Sequence, residues 1–397
     1  MRAPAILLVV LAACESEPAA PSAAIPLEPR PASKARPAPA PPRSPLARFQ
    51  ARLRRREGVV RVLHFGDSHT APDLLTAAVR RRLQASFGDA GHGYTVLGWK
   101  NGYSHVGVRA GASQAWRMFR VWYEPQFRPG DRRFGVGGAS IRAGEAGASA
   151  WIETRASRFD LHYDASPTGG TLEVRIDSGP LVRVETAGPA GARFRLFETT
   201  DAAHRFEVRA VGDGEVALLG VECERPGPGV VWSSLGVGGA RASTPLEWDP
   251  AIRAAQIARL RPDLVVAMYG SNDVHADGYT AEGFARTIVD LMLAIRAPAP
   301  QADCLVLAPP DQAEDARAGR WGSLASIAPA ALAASRAAGE AGCAFWDAQA
   351  AMGGVGAIAR WAALRPPLAT RDGVHLTAAG YERLGTSLAD AIESDGL

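Results

Sequence analysis

Two rhythms of apolar and polar positions alternate along the chain. From about residue 46 to 98, the β-branched apolar run "VVRVLHF" is followed by "DLLTAAVRRRLQASFG". The second stretch has apolar residues at helical spacing and a closing glycine, so the pair predicts a buried strand and then a helix. From about 105 to 230 the runs become short and often alternate: "WIETRASRFDLHYD", "TLEVRID", "LVRVET", "RFRLFE", "AHRFEVRA" and "EVALLGVEC". Turn formers such as "SPTGG" and "VGDGE" separate them, which predicts an antiparallel β-sandwich or jelly roll. After about 230 the strand–helix rhythm returns. "VVWSSLGVGG", "DLVVAMYGSND", "CLVLAPPD" and "CAFWDAQ" read as strands. Helices are expected at about 248–261, 280–296 and 323–340, then in "GAIARWAAL" and "LTAAGYERLGTSLADAI".

Parallel strands buried on both faces, each with a crossover helix, make a doubly wound α/β sheet of flavodoxin-like type. Residues 46–104 and 231–397 are therefore expected to form one discontinuous α/β domain. Residues 105–230 are expected to form an inserted β-sandwich.

The amino terminus adds an address. "MRAPAILLVVLAAC" carries a positive charge, an apolar stretch too short to span a bilayer, and small residues before Cys14. Residues 1–14 read as a signal peptide, and "LAAC" resembles the bacterial lipobox, which makes Cys14 the expected lipidation site. Residues 15–45 are Pro/Ala-rich and poor in large apolar side chains, hence an extended tether with a reach of up to about 90 Å. An exported protein, held to a membrane by a lipid and working in the periplasm or at the cell surface, is the expectation.

Charge removes one class of partner. The formal net charge is only +3, which gives no support to a nucleic-acid surface. The basic cluster Arg52–Arg56 reads as a solvated helix face. Besides Cys14 there are Cys223, Cys304 and Cys343, so at least one thiol is left over. Cys304 and Cys343 each open a strand of the same sheet and can pair if those strands are neighbours.

Ligands of open α/β sheets bind at the carboxyl ends of the strands. Four polar clusters fall at such places: "GDSHT" (66–70), "GVGGA" (236–240), "GSND" (270–273) and "DGVHLT" (372–377). Ester hydrolysis needs a nucleophile, a base, an orienter for the base and oxyanion donors. Ser68 suits the first role, His375 the second and Asp372, three residues earlier, the third. The Ser68 N–H, expected at a helix start, a glycine N–H and the Asn272 amide are candidate donors. Each cluster also has a plain reading: Ser68 as a helix cap, "GSND" as a turn.

Together and in this order, the four clusters resemble the blocks of the SGNH (GDSL) hydrolases. The resemblance covers about 50–98 and 230–397. It implies Ser68 as nucleophile, His375 as base and Asp372 as its orienter. Gly239 and Asn272 would join the Ser68 N–H in the oxyanion hole. The glycine block lacks the asparagine often found before it, so Gly236 and Gly238 are alternative donors. Within the family the layout is most like the peptidoglycan O-acetylesterases of Gram-negative bacteria, which read "GDSHT" and carry an insertion like a carbohydrate-binding module. The resemblance implies an O-acetylated glycan substrate, an acetyl-enzyme, and no metal or organic cofactor. Rival readings are an O-acetyltransferase with the same triad, a lipase or thioesterase, and a non-catalytic wall-binding lipoprotein. A metallophosphoesterase, faintly echoed by "GSND", lacks the paired late histidines.

Other residues have plainer expectations. His64 should be a core histidine, and His69 should line the pocket. Asp67 should order its loop or cap the helix, Asp273 and His275 should order loops, and "PPD" (309–311) should form a pocket wall. Trp99, Trp116, Trp122, Trp151 and Trp232 are candidates for stacking on sugar rings or for the core.

Overall fold

A computed structural model describes residues 44–98, 105–121 and 130–394. Cys14 and nearly all of the expected tether lie outside the described residues, as do Trp99 and Trp122. Among the described residues, no helix is long and apolar enough to cross a membrane.

Five parallel strands form the central sheet: Val59–Gly66, Gly229–Gly236, Leu264–Met268, Asp303–Leu307 and Ala344–Trp346. In chain order their spatial sequence is second, first, third, fourth, fifth. The chain leaves the first strand toward one side and then returns to the other, so a crevice opens at the carboxyl ends of the first and third strands.

Alternate strand residues feed two cores. Leu63, Phe65, Val265 and Val306 face the helices Pro250–Leu260, Ala281–Arg296 and Ile327–Glu340. Val62, Trp232, Val266 and Leu305 face the helices Ala47–Arg55, Leu74–Phe87, Ala357–Ala363 and Ala378–Glu393. Burial on both faces is why these strands read as unbroken apolar runs. Helix ends follow local chemistry: Asp249 accepts from the N–H groups of Ala251 and Ile252, and Pro250 opens that helix without needing a donor. Asp303 accepts from the Phe49 N–H and the Arg48 side chain, each at 2.8 Å, tying the first helix to the fourth strand. Arg54, Arg55 and Arg56 of the basic cluster are exposed.

The block between the first two parallel strands is one hydrogen-bonded antiparallel sheet of nine strands. It takes in Gly93–Thr95, which pairs with Val221–Cys223, and ends at Glu224. Some of the expected short runs are parts of long strands. Ser149–Ala165 and Gly191–Ala210 pair along nearly their full length, with an irregularity between Ala156 and Arg158. The polar interruption "ETTDAAH" looks like a turn in sequence; in the structure it is an irregularity inside one strand, with Glu198 opposite Arg158, Ala202 opposite Ala156, and pairing on both sides of it. Trp116 and Ile141, from one edge, and Leu172 and Val184, from the other, belong to one continuous apolar core.

The fourth and fifth parallel strands are neighbours, with Leu305 opposite Ala344. Cys304 and Cys343 form a disulfide at their amino ends, Cα atoms 4.7 Å apart, and Cys223 is a buried free thiol.

Candidate active site

Register sets the site before any side chain does. Gly66 stands opposite Gly236 on one side and Met268 on the other, so three adjacent strands end in one line. Ser68, Gly239 and Asn272 lie two to four residues beyond that line. Close packing fixes the first two loops. A Cβ on Gly236 would sit 2.2 Å from the Ala71 nitrogen, and one on Gly66 would sit 2.2 Å from the Thr70 hydroxyl. Only glycine allows this approach.

Ser68 is not a helix cap, nor is it at a helix start. The chain makes a tight turn after the strand, with the Thr70 and Ala71 N–H groups both bonding to the Asp67 carbonyl. The helix begins six residues later at Leu74, after Asp73. The turn lifts Ser68 to a half-buried position between the buried Asp67 and His69.

Asp372 and His375 come from the loop before the last helix. That loop is clamped by bonds from Thr370 N–H to the His375 carbonyl (2.9 Å) and from Ala313 N–H to the Gly373 carbonyl (2.7 Å). Thr377 then caps the helix Ala378–Glu393 through the Gly380 N–H. The result is a continuous hydrogen-bonded chain. His375 Nδ1 is 2.8 Å from Asp372 Oδ2, and His375 Nε2 is 2.8 Å from Ser68 Oγ. A carboxylate only accepts, so Nδ1 carries the proton and Nε2 is left to accept from the serine hydroxyl. Burial works against ionising Asp372. Hydrogen bonds from Thr370, from the His375 ring and from the Val374 and His375 N–H groups outweigh it and hold the carboxyl well below the usual range. The His375 and Asp372 side chains are 39% and 35% exposed, so water reaches the pair.

The donor loops converge on the same line. Ala240 N–H bonds to the Val237 carbonyl across a turn in which Gly239 has φ +80°, the left-handed position that such a turn reserves for glycine. The Asn272 amide donates to the Ala240 carbonyl at 3.0 Å, which joins this turn to the third strand and leaves its second N–H for a ligand. "GSND" is thus both a turn and a placed amide. Gly236 is spent on close packing, whereas Gly239 stands in the open turn.

Buried neighbours stiffen the site. Asp67 accepts from the His69 N–H at 2.9 Å, and burial, against that bond, pushes its carboxyl up to about 7. Asp273 accepts from the Ala242 and Gly270 N–H groups, as a loop-ordering residue should. His69 is buried, with Nδ1 3.0 Å from the Tyr381 hydroxyl and its ring centroid 5.4 Å from that of His375. Burial, reinforced by His375, pushes its imidazole down to about 3, so it stands as a neutral backing. His275 is bonded to Gln312 at 2.7 Å, and Pro309 packs beneath Gly270.

His64 is a core histidine, fully buried and accepting from the Trp232 indole. Trp116 and Trp232 are core, and Trp151 is covered by the Arg205 guanidinium at 4.0 Å. Thr370 and Tyr381 were not singled out from the sequence. Their signal was thin, a hydroxyl two residues before the acid and another one turn into the next helix.

One further cluster has metal-ligating types. Asp73, His92 and His105 lie within 4.8 Å of one another, all buried. Asp73 is already saturated. Its oxygens accept from both Arg80 nitrogens, the Thr76 hydroxyl and the Val106 N–H. The guanidinium also opposes a cation, so this cluster does not fit a metal.

Comparison with known proteins fits this geometry. The sequence profile of the GDSL-like Lipase/Acylhydrolase family matches residues 207–383, which takes in Gly239, Asn272, Asp372 and His375 but not Ser68. The fold is similar to a solved peptidoglycan O-acetylesterase, with TM-score 0.73 and 25% identity over 89% of this chain and 96% of that one. A family two carbohydrate esterase from Clostridium thermocellum, solved with cellohexaose, is far less similar, with TM-score 0.32 and 10% identity over 64% and 94%. A carbohydrate acetylesterase from Sinorhizobium meliloti gives TM-score 0.30 and 20% identity over 42% and 78%. No curated protein matches.

Proposed function

We propose that this chain, whose residues 207–383 match the GDSL-like lipase/acylhydrolase family and whose fold is similar to a peptidoglycan O-acetylesterase, is a carboxylic ester hydrolase that removes O-acetyl groups from a cell-envelope polysaccharide, peptidoglycan first among them. The observation that carries this reading is the unbroken Ser68–His375–Asp372 chain at the crevice, with 2.8 Å at each link. The extensive likeness to a peptidoglycan O-acetylesterase supports the substrate class.

In this mechanism Ser68 Oγ attacks the acetyl carbonyl carbon while its proton passes to His375 Nε2. Asp372 fixes the tautomer and stabilises the imidazolium. The Ser68 N–H, the Gly239 N–H and the Asn272 amide hold the oxyanion. Collapse expels the sugar alkoxide, which takes the proton from His375 and leaves an acetyl-enzyme. His375 then draws a proton from water, whose oxygen attacks the acetyl carbon, and acetate departs as Ser68 is reprotonated. The exposure of the His375–Asp372 pair supports water, rather than a sugar hydroxyl, as acceptor.

The proposal extends to place. A lipid on Cys14 and the tether of residues 15–45 would hold the enzyme to a membrane, outside the cytoplasm. The Cys304–Cys343 disulfide suits an oxidising compartment. A role for the antiparallel block like that of a carbohydrate-binding module belongs to the same reading.

Acetate release from O-acetylated peptidoglycan, measured beside Ser68→Ala, tests it. Release lost in the variant is expected. Hydrolysis of an aryl acetate without release from the polymer would discard the wall substrate.

A further inference from the structure

A second cleft, of about 580 Å³, opens beside the catalytic loop. It lies between the hairpin strand Arg320–Ser323 and the segment that leads into the triad, and its lining includes Trp321, Arg365, Pro367, Thr370, Arg371 and Thr377. Two of these belong to the catalytic loop itself. The Thr370 hydroxyl lies 2.6 Å from Asp372 Oδ1, and Thr377 caps the last helix just beyond His375. A ligand in this cleft would therefore sit next to the catalytic acid.

The charge balance here differs from that of the cleft beside Asp73. Where Arg80, Arg81, Arg155 and Arg225 line a smaller cleft, each is paired with an acid: Asp73, Glu382 and, for the last two, Asp201. Around Trp321 the arginines are unmatched. Arg365 reaches only the carbonyls of Ala363 and Leu364, and Arg371 has no hydrogen bond or ion pair among the described residues. The hairpin's acids, Glu314 and Asp315, are both engaged by Arg320. Two exposed guanidinium groups thus face solvent beside a half-buried indole. An indole offers a flat apolar face to a pyranose ring, and guanidinium forks bind carboxylates in bidentate fashion.

Building on the proposed esterase reading, we infer that this cleft is a subsite for a carboxylate-bearing segment of the glycan, neighbouring the residue whose acetyl group meets Ser68. The enzyme would select acetyl esters carried on acidic glycans.

Calorimetric titration of the full chain with soluble, acetyl-free peptidoglycan fragments tests this. Binding should weaken about tenfold in Arg365→Gln/Arg371→Gln. It should weaken similarly when the fragment carboxylates are amidated. Arg365→Lys/Arg371→Lys, which keeps the charge but loses the fork, should bind more tightly than the double-Gln protein and less tightly than the native one. Trp321→Ala should weaken acidic and amidated fragments alike. Equal binding by native and double-Gln proteins, or indifference to amidation, would overturn the subsite. Acetate release is read separately from the O-acetylated polymer. Charge-dependent binding without release keeps the subsite and discards the esterase. Release without charge-dependent binding does the reverse.

Discussion

Two histidine–aspartate clusters flank the segment from Ser68 to Asp73, and only one is built to react. In the first, His375 stands between an acid and a hydroxyl, more than a third exposed, with its Nε2 aimed at Ser68. In the second, His92 and His105 bond to each other at 2.6 Å and are buried, while Asp73 is consumed by two bonds from Arg80 and two more from Thr76 and Val106. Burial pushes both of these imidazoles down, and neither lies beside a nucleophile as His375 lies beside Ser68. The same residue types therefore give a proton relay in one place and a structural knot in the other. What separates them is unspent hydrogen-bonding capacity at a surface that a substrate can reach.

The largest way to break the comparison is at the nucleophile. Ser68→Ala should lower kcat by on the order of 10⁴-fold or more while leaving the thermal midpoint nearly unchanged. Asp372→Asn should follow at about 10²–10⁴-fold, since the amide favours the wrong tautomer of His375. The second cluster should respond in stability instead. Asp73→Asn keeps a residue that tolerates the left-handed backbone at φ 55°, yet strands the buried Arg80 charge. It should cost about 3–5 kcal/mol in denaturant unfolding. A large fall in kcat with unchanged stability would place Asp73 with the reacting groups. Asn272→Ala should cost about 2.7–4 kcal/mol in the chemical step, and an effect confined to KM would remove it from the oxyanion hole.

The smallest effect concerns Asp67. Its carboxyl holds a proton up to about 7 when folded, against an ordinary value of 3.8. Between roughly pH 4 and 7 the folded state binds more protons than the unfolded one, so this group lowers stability as pH rises and adds no further loss above 7. Asp67→Asn removes the effect and can still accept the His69 N–H. The variant should therefore gain on the native protein across that window, read as the difference in their unfolding midpoints at pH 4 and pH 7.

Much of the molecule was legible in its residues because local physics sufficed. Parallel strands buried on both faces are mostly apolar, so "VVRVLHF", despite Arg61 and His64, and "LVVAM" announced themselves. The helices expected at about 248–261 and 280–296 are found at Pro250–Leu260 and Ala281–Arg296, capped by Asp249 and Thr280. The order of the four polar blocks carried the chemistry, since strand ends of an α/β sheet share a rim.

What only the tertiary structure decided depends on partners distant in the chain. Ser68 could have capped a helix. The contact of its turn with Gly236 and the delay of the helix to Leu74 made it a free hydroxyl instead. His375 acquired its target from 307 residues away. The long antiparallel strands continue past an apparent turn because pairing with a neighbouring strand resumes on both sides of the irregularity. The Asp73 knot and the unmatched arginines beside Trp321 look alike in sequence, as charged residues in loops and at helix ends. Whether a charge is spent or available depends on what the fold brings within about 3 Å of it, and short sequence patterns do not encode that distance.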